Sequence, residues 1–91
     1  MLDWDEANLR KIKAHRVKRA EVEQTISRDP ILIYEQCVAG ECRFVYYGET
    51  ERDRLLAIVV TEGDDRTRVI TAYDLDAGQK REYLMRRFRG E

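Results

Sequence analysis

The amino-acid sequence predicts an α+β fold with two N-terminal helices, a four-stranded antiparallel sheet and a C-terminal helix. Apolar residues recur at helical spacing in the first thirty residues. The middle of the chain carries short runs of branched and aromatic residues separated by turns, as in an antiparallel meander, and a basic segment at helical spacing follows. We expect the helices to pack on one face of the sheet.

Length and composition predict one domain over residues 1–91. The hydrophobic fraction of 43% is ordinary, whereas the charged fraction of 38% makes most of the surface ionic. The sequence contains no apolar run of about 18 residues, and Asp3, Asp5 and Glu6 stand where a signal peptide would carry positive charge. We therefore expect a cytoplasmic protein without membrane contact.

The first helix is predicted from a capping pair, Asp3 with Glu6, to about His15. Helical spacing from Ile12 places His15 at the edge of the buried stripe. The chain must then break and restart. Arg16 is the predicted connector, in a left-handed conformation that glycine adopts more freely.

The second helix is predicted to begin with Val17 just before its cap and Val22 as the packing partner of Val17. Pro30 should close it by forcing Asp29 out of helical geometry. The final helix should begin at Asp76, capped with Gln79.

Four strands are predicted from alternating or continuous apolar runs, the third of them central and covered on both sides. In the last strand, simple alternation places Val69, Thr71 and Tyr73 on one face and Arg68 on the other. The predicted strands are 31–34, 42–48, 55–60 and 67–73.

Cys37 and Cys42 flank a turn that could bring them opposite each other in a hairpin. The geometry would permit a disulfide, but reducing conditions in the cytoplasm favour two structural thiols. A metal site would need more ligands than these cysteines and His15 supply, so we expect no metal.

Charge is distributed unevenly. The net charge is −1, yet residues 1–30 sum to +1, residues 31–76 to −5 and residues 77–91 to +3. This distribution indicates a local anion-binding face, or a solvated surface with many salt bridges.

Several motifs, in this order and spacing, carry a family resemblance. They are the WDE opening, the helix end AHRV, the stretch RFVYYG, the strand LLAIVVTE, and RVITAYDL followed by KREY. From Trp4 to about Phe88, the chain resembles the BrnT-like toxins of bacterial type II toxin-antitoxin systems, which are similar in fold to RelE-type ribonucleases. The resemblance implies RNA cleavage and a cognate antitoxin, typically of the ribbon-helix-helix type.

Two positions depart from the family pattern. Arg16 stands where many relatives carry glycine, and Tyr73 with Asp74 occupies the stretch where ribonuclease members often show an arginine. A tyrosine cannot replace the positive charge with which an arginine stabilises a developing phosphate dianion.

RNA cleavage without a metal requires proton transfer and neutralisation of phosphate charge. We predict His15, Tyr73 and Tyr83 for proton transfer or base stacking, and Arg43 and Arg68 as a phosphate clamp.

Each assignment has a structural alternative. His15 could cap the first helix, each arginine could pair with a carboxylate such as Glu35 or Glu62, and Tyr83 could pack beside Leu84. The basic helix could bind RNA or be an ordinary solvated face. Its cations are Lys80, Arg81, Arg86, Arg87 and Arg89.

The function predicted from the sequence is that of a toxin acting as a metal-independent endoribonuclease, which leaves 2′,3′-cyclic ends if the ribose 2′-hydroxyl attacks. No cofactor is expected. The alternative is a non-catalytic protein- or RNA-binding module of the same fold, which the departure at Tyr73 and Asp74 favours.

Overall fold

The computed structural model describes residues 2–89, and the predicted α+β class is confirmed. Within this part of the chain there are three helices and five strands. They are β1 Leu2–Asp3, α1 Glu6–Ala14, α2 Arg19–Ser27, β2 Ile31–Val38, β3 Glu41–Glu49, β4 Leu55–Gly63, β5 Arg66–Asp74 and α3 Ala77–Phe88.

The sheet is mixed and five-stranded, in the order β1-β5-β4-β3-β2. The antiparallel meander of β2 to β5 is as predicted, but the expected total of four strands is wrong. β1 runs parallel to β5, with Leu2 opposite Thr67 and Asp3 opposite Arg68. A two-residue strand is too short to leave any alternation in the sequence.

The predicted cap of α1 is also wrong. Asp5 is the N-cap, and its Oδ1 accepts a hydrogen bond from the backbone N–H of Asn8 at 2.8 Å. Asp3 lies in β1, where Arg66 Nε donates to its Oδ2 at 2.8 Å. The carboxylate assigned to the helix therefore anchors the edge of the sheet.

Helices cover both faces of the sheet, so the prediction of helices on a single face is wrong. On one face α1 and α2 bury Ile12 and Val22 against β4 residues such as Ile58. On the other face α3 inserts Tyr83 into a second cluster that contains Ala57. The continuous apolar run of β4 requires this arrangement, because successive side chains of a strand point to opposite faces.

The ends of α1 and α2 are as predicted. At the junction between the two helices Arg16 adopts a left-handed φ of 58°. After α2, Asp29 leaves helical geometry before Pro30, with a φ of 56°. Val17 and Val22 are both buried in the core beside this junction.

A β-bulge in β5 overturns the predicted alternation. Val59 pairs with Thr71 but Val60 pairs with Val69, which leaves Ile70 as an extra residue. Val69 therefore faces α1 and α2, whereas Tyr73 packs in the cluster under α3. Simple alternation would keep Tyr73 on the face of Val69, but the extra residue turns Tyr73 to the opposite face, which it shares with Arg68.

The two cysteines form a disulfide, contrary to the prediction of free thiols. Cys37 and Cys42 are paired directly across β2 and β3, and their Cα atoms lie 4.0 Å apart. The hairpin register that the sequence allowed brings the two sulfur atoms together.

None of the helices in the described region is long and apolar enough to cross a membrane.

Candidate functional site

The end of β5 brings two of the predicted site residues together. His15 directly follows α1 and Tyr73 is the penultimate residue of β5, and their ring centroids are 5.9 Å apart with the planes at 54°. His15 is exposed and Tyr73 is half-buried. Because β1 pairs only with Thr67 and Arg68, it leaves this end of β5 uncovered. The pair can therefore be approached from solvent.

Next to this pair, Arg54 binds the carboxylate of Asp74 through two hydrogen bonds. Arg54 Nε donates to Oδ1 at 2.7 Å and Nη2 donates to Oδ2 at 3.1 Å. These bonds lower the pKa of Asp74, and the nearby charges of Lys80 and His15 act in the same direction. Asp74 is therefore an anchored carboxylate beside the His15–Tyr73 pair.

The same guanidinium holds the connector between α1 and α2. Arg54 Nη1 lies 2.9 Å from the carbonyl oxygen of Arg16 and 3.0 Å from Glu21 Oε1. Burial raises the pKa of Glu21, but hydrogen bonds from the Lys18 N–H and from Arg54 outweigh it and leave that pKa below its ordinary value. Hydrogen bonding to Asp74 raises the pKa of Arg54 itself.

Sequence reasoning missed Arg54. The available signal is its position, a cation immediately before the apolar run LLAIVV that starts the central strand. A charged side chain at the start of a buried strand tends to find carboxylate partners, because an unpaired charge is costly there.

Arg43 and Arg68 form a second cluster on the face of the sheet that α3 packs against. Both are cross-strand neighbours of Thr61, on either side of β4. Arg43 and Thr61 line a cavity of about 250 Å³ together with Glu41. Arg68 Nη2 lies 3.9 Å from Glu41 Oε1, so the carboxylate beside it is Glu41, not the predicted Glu35 or Glu62.

Thr61 fixes that carboxylate. Its side chain is buried, and Oγ1 lies 2.6 Å from Glu41 Oε1 and 3.1 Å from the carbonyl oxygen of Cys42. In the described residues Arg43 has no carboxylate within 4 Å. Its guanidinium is therefore available to an anionic ligand.

The two clusters do not form one catalytic centre. Arg68 and Tyr73 are five residues apart on β5, which corresponds to roughly 15 Å at the rise of an extended strand. One phosphate group cannot contact both clusters, whereas an extended single strand of several nucleotides can.

The predicted residues on α3 have different environments. Tyr83 is 1% exposed, and its hydroxyl accepts a hydrogen bond from Arg87 Nη2 at 3.1 Å. Arg87 also donates to the carbonyl oxygen of Asp29, and Arg86 pairs with Glu82. These three side chains are engaged with the protein itself. Lys80, Arg81 and Arg89 are exposed.

Near the pair, burial and the negative charge of Glu82 raise the pKa of Tyr47, against the effect of a hydrogen bond with Gln79. Tyr47 lies in the same cluster as Tyr83 and Tyr73. It belongs to the packing beneath the site.

The described residues contain no group of three or more histidine, cysteine, aspartate or glutamate side chains placed to hold a metal ion.

The fold and the site together define a small α+β protein in which an imidazole–phenol pair lies at one end of β5 and two arginines flank β4. Over residues 4–78 the sequence matches the family described as the ribonuclease toxin BrnT of type II toxin-antitoxin systems, and the chain belongs to that family. It is thus a ribonuclease toxin of a system that includes an antitoxin protein. No curated protein matches the chain.

Proposed function

We propose that the protein is a metal-independent endoribonuclease in which His15 and Tyr73 transfer the protons. The observation that carries this proposal is the 5.9 Å separation of their rings at an uncovered end of β5. Both side chains can donate and accept protons, and histidine does so near neutral pH.

In the proposed reaction the ribose 2′-hydroxyl attacks the adjacent phosphorus. His15 accepts the hydroxyl proton, the bond from phosphorus to the 5′-oxygen breaks, and Tyr73 donates a proton to that oxygen. The products are a 2′,3′-cyclic phosphate and a 5′-hydroxyl. Proton return from His15 to Tyr73 through solvent restores the starting state.

Positive charge at the scissile phosphate comes in this proposal from Lys80. It is exposed near the start of α3, which begins three residues after Asp74, and its charge contributes to lowering the pKa of Asp74. Arg54 is held by Asp74 and Glu21, so it positions the end of β5 and the residue after His15. Lys80 would thus supply the positive charge that the family pattern places on an arginine, in the stretch where this chain has Tyr73.

RNA on either side of the cleaved bond would be bound by the remaining cations. Arg43 and Arg68 hold a phosphate farther along the sheet face, and Arg81 on α3 contributes a salt-sensitive contact. Arg86, Arg87 and Tyr83 support the helix that presents Lys80 and Arg81. We further propose that the protein acts in the cytoplasm and is neutralised by a ribbon-helix-helix antitoxin.

The test is incubation of the purified protein with a defined mRNA in EDTA, with analysis of the ends of the products. We expect 2′,3′-cyclic ends from the wild type and from Lys11→Ala, a control that removes an exposed charge from α1. His15→Ala and Tyr73→Phe should each lose cleavage by about 10²- to 10⁴-fold, the usual contribution of one proton-transferring group.

A second candidate is a non-catalytic binding module of the same fold. It is favoured by the carboxylate of Asp74 beside Tyr73, since a negative charge there opposes phosphate binding. An inert wild type, also inert when ribosomes are added, together with RNA binding that Arg43→Ala and Arg68→Ala weaken, would establish this alternative.

A further inference from the structure

The outer face of α3 carries an apolar patch that the fold does not use. Tyr83 and Arg87 point toward the sheet, whereas Leu84, Met85 and Phe88 point to solvent. Phe88 is 85% exposed, and the other two are nearly half-exposed. Helical spacing places the three on one side, since Leu84 and Phe88 are four residues apart and Met85 adjoins them.

Two arginines flank this patch. Arg81 lies one turn before Leu84 and Met85, and Arg89 lies one turn after Met85, so both are on the outer face of the helix. Together with the three apolar side chains they line a shallow groove. Within residues 2–89 neither arginine has a carboxylate within 4 Å, in contrast to Arg86 and Arg87.

An apolar stripe bordered by two arginines that have no carboxylate partner among residues 2–89 matches an amphipathic helix with acidic flanks. Adjacent exposed apolar side chains on a small protein mark an interaction surface, and complementary charge selects the partner. A second copy of this chain fits poorly, because symmetric contact would place arginines near arginines. RNA fits poorly as well, because the apolar side chains of Leu84 and Met85 form no hydrogen bonds or ion pairs with its phosphates.

The patch lies beyond residue 78, where the family match ends.

We infer that the outer face of α3 docks an acidic amphipathic helix of the cognate antitoxin. Its apolar side chains seat on Leu84, Met85 and Phe88, and its carboxylates pair with Arg81 and Arg89. Since Arg81 is also assigned to RNA above, docking would compete with RNA at that residue. The inference rests on the proposed function only for this competition; binding itself needs no catalysis.

The probe is a synthetic peptide of about 15 residues, long enough to form helix on a surface, with leucines in one stripe and glutamates beside it. A second peptide carries lysine in place of every glutamate. Binding of each labelled peptide to the full chain is followed by fluorescence anisotropy. The acidic peptide should bind at least about tenfold more tightly than the basic one, as expected for complementary charge around an apolar anchor.

Three variants locate the binding. Phe88→Ser should lower the affinity for the acidic peptide by at least about tenfold and leave RNA cleavage unchanged, as expected for an interface anchor remote from the chemistry. Arg81→Glu should reverse the preference toward the basic peptide. Arg52→Glu, an exposed charge reversal in the turn between β3 and β4, is the matched control. It should change neither the affinity for the acidic peptide nor the preference between the two peptides.

Other results would overturn the inference. They are equal binding of both peptides, binding that Phe88→Ser does not weaken, or a dimer in light scattering that Phe88→Ser dissociates, which would assign the patch to a second copy. Loss of RNA binding with Phe88→Ser would assign it to RNA. Failure of the proposed function is distinguishable, because an inert enzyme that binds the acidic peptide refutes only the catalytic proposal.

Discussion

Replacement of Arg54 by alanine should lower the free energy of unfolding by about 2 to 4 kcal/mol, because one side chain joins three elements. Its guanidinium bonds to Asp74 at the end of β5, to the carbonyl oxygen of Arg16 and to Glu21 in α2. Without it, the connector after His15 loses its tie to the sheet.

The magnitude follows from the exposure of each partner. Arg54 and Glu21 are 26% and 23% exposed, so we assign their pair, taken as one charged hydrogen-bonding contact, about 1.5 to 3 kcal/mol. Asp74 is 58% exposed, so we assign its pair only about 0.2 to 1 kcal/mol. The upper end of the total is reached only if Glu21 is left without a replacement partner.

The assay is urea unfolding followed by the fluorescence of Trp4, which packs against the core. Arg54→Lys is the matched variant, since lysine keeps the charge but its single ammonium group cannot contact Asp74, Glu21 and the Arg16 carbonyl oxygen at the same time. It should recover less than half of the loss. A double-mutant cycle with Glu21→Gln isolates the Glu21 contribution.

The loss should also depend on pH. The folded-state pKa values of Glu21 and Asp74 lie below their ordinary values of 4.5 and 3.8, so their contribution is present above those values and is lost as pH falls through the folded pKa values. The difference between wild type and Arg54→Ala should therefore shrink in acid. A loss under about 1 kcal/mol at pH 7, as for an ordinary surface pair, or a pH-independent loss, would refute this reasoning.

Three further predictions use the same unfolding assay. Arg16→Gly should raise stability by about 0.5 to 1 kcal/mol, because it relieves the left-handed φ of 58°; a loss would show that the Arg16 side chain is needed. Gly48→Ala should cost about 1 to 3 kcal/mol, since its Cβ would lie 2.7 Å from Thr25 Cγ2, and adding Thr25→Ser should restore part of that; no rescue would contradict the contact. Leu56→Ala, in the central strand, should cost about 2 to 5 kcal/mol while the folded fraction keeps its activity.

Periodicity was sufficient for the long elements because their burial is regular. The LLAIVV run identified β4 as central, and the pairing of Val17 with Val22 located the start of α2. Local backbone constraints were equally visible, as at Asp29 before Pro30. In each case neighbouring residues alone determine the structure.

Contacts between residues far apart in the chain could not be predicted from the sequence. The two-residue strand β1 depends on pairing with residues more than sixty positions away, and the bulge at Ile70 depends on how β5 fits β4. The disulfide contradicts the prediction of free thiols, because that prediction rests on a reducing compartment and not on the hairpin register. Packing of α3 on the second face followed from the two-sided apolar character of β4, which the sequence already contained.

The candidate site shows the same division. Chemical type alone indicates His15 and Tyr73 as candidates, and only the structure shows their proximity. The same reasoning grouped them with Arg43 and Arg68, which lie elsewhere on the sheet, and it missed Arg54, whose partners come from three separate parts of the chain. Residue type indicates chemistry, but pairing across the sheet determines which groups can act together.

The central claim is that His15 and Tyr73 perform the chemistry while Arg43 and Arg68 bind RNA. The most direct measurement is the steady-state kinetics of cleavage of a short RNA in EDTA by wild type, His15→Ala and the double variant Arg43→Ala, Arg68→Ala. We expect His15→Ala to lower kcat by about 10²- to 10⁴-fold with little change in KM, whereas the arginine variant should chiefly raise KM. Full kcat in His15→Ala, with kcat lost in the arginine variant, would contradict the claim and place the chemistry at the other cluster.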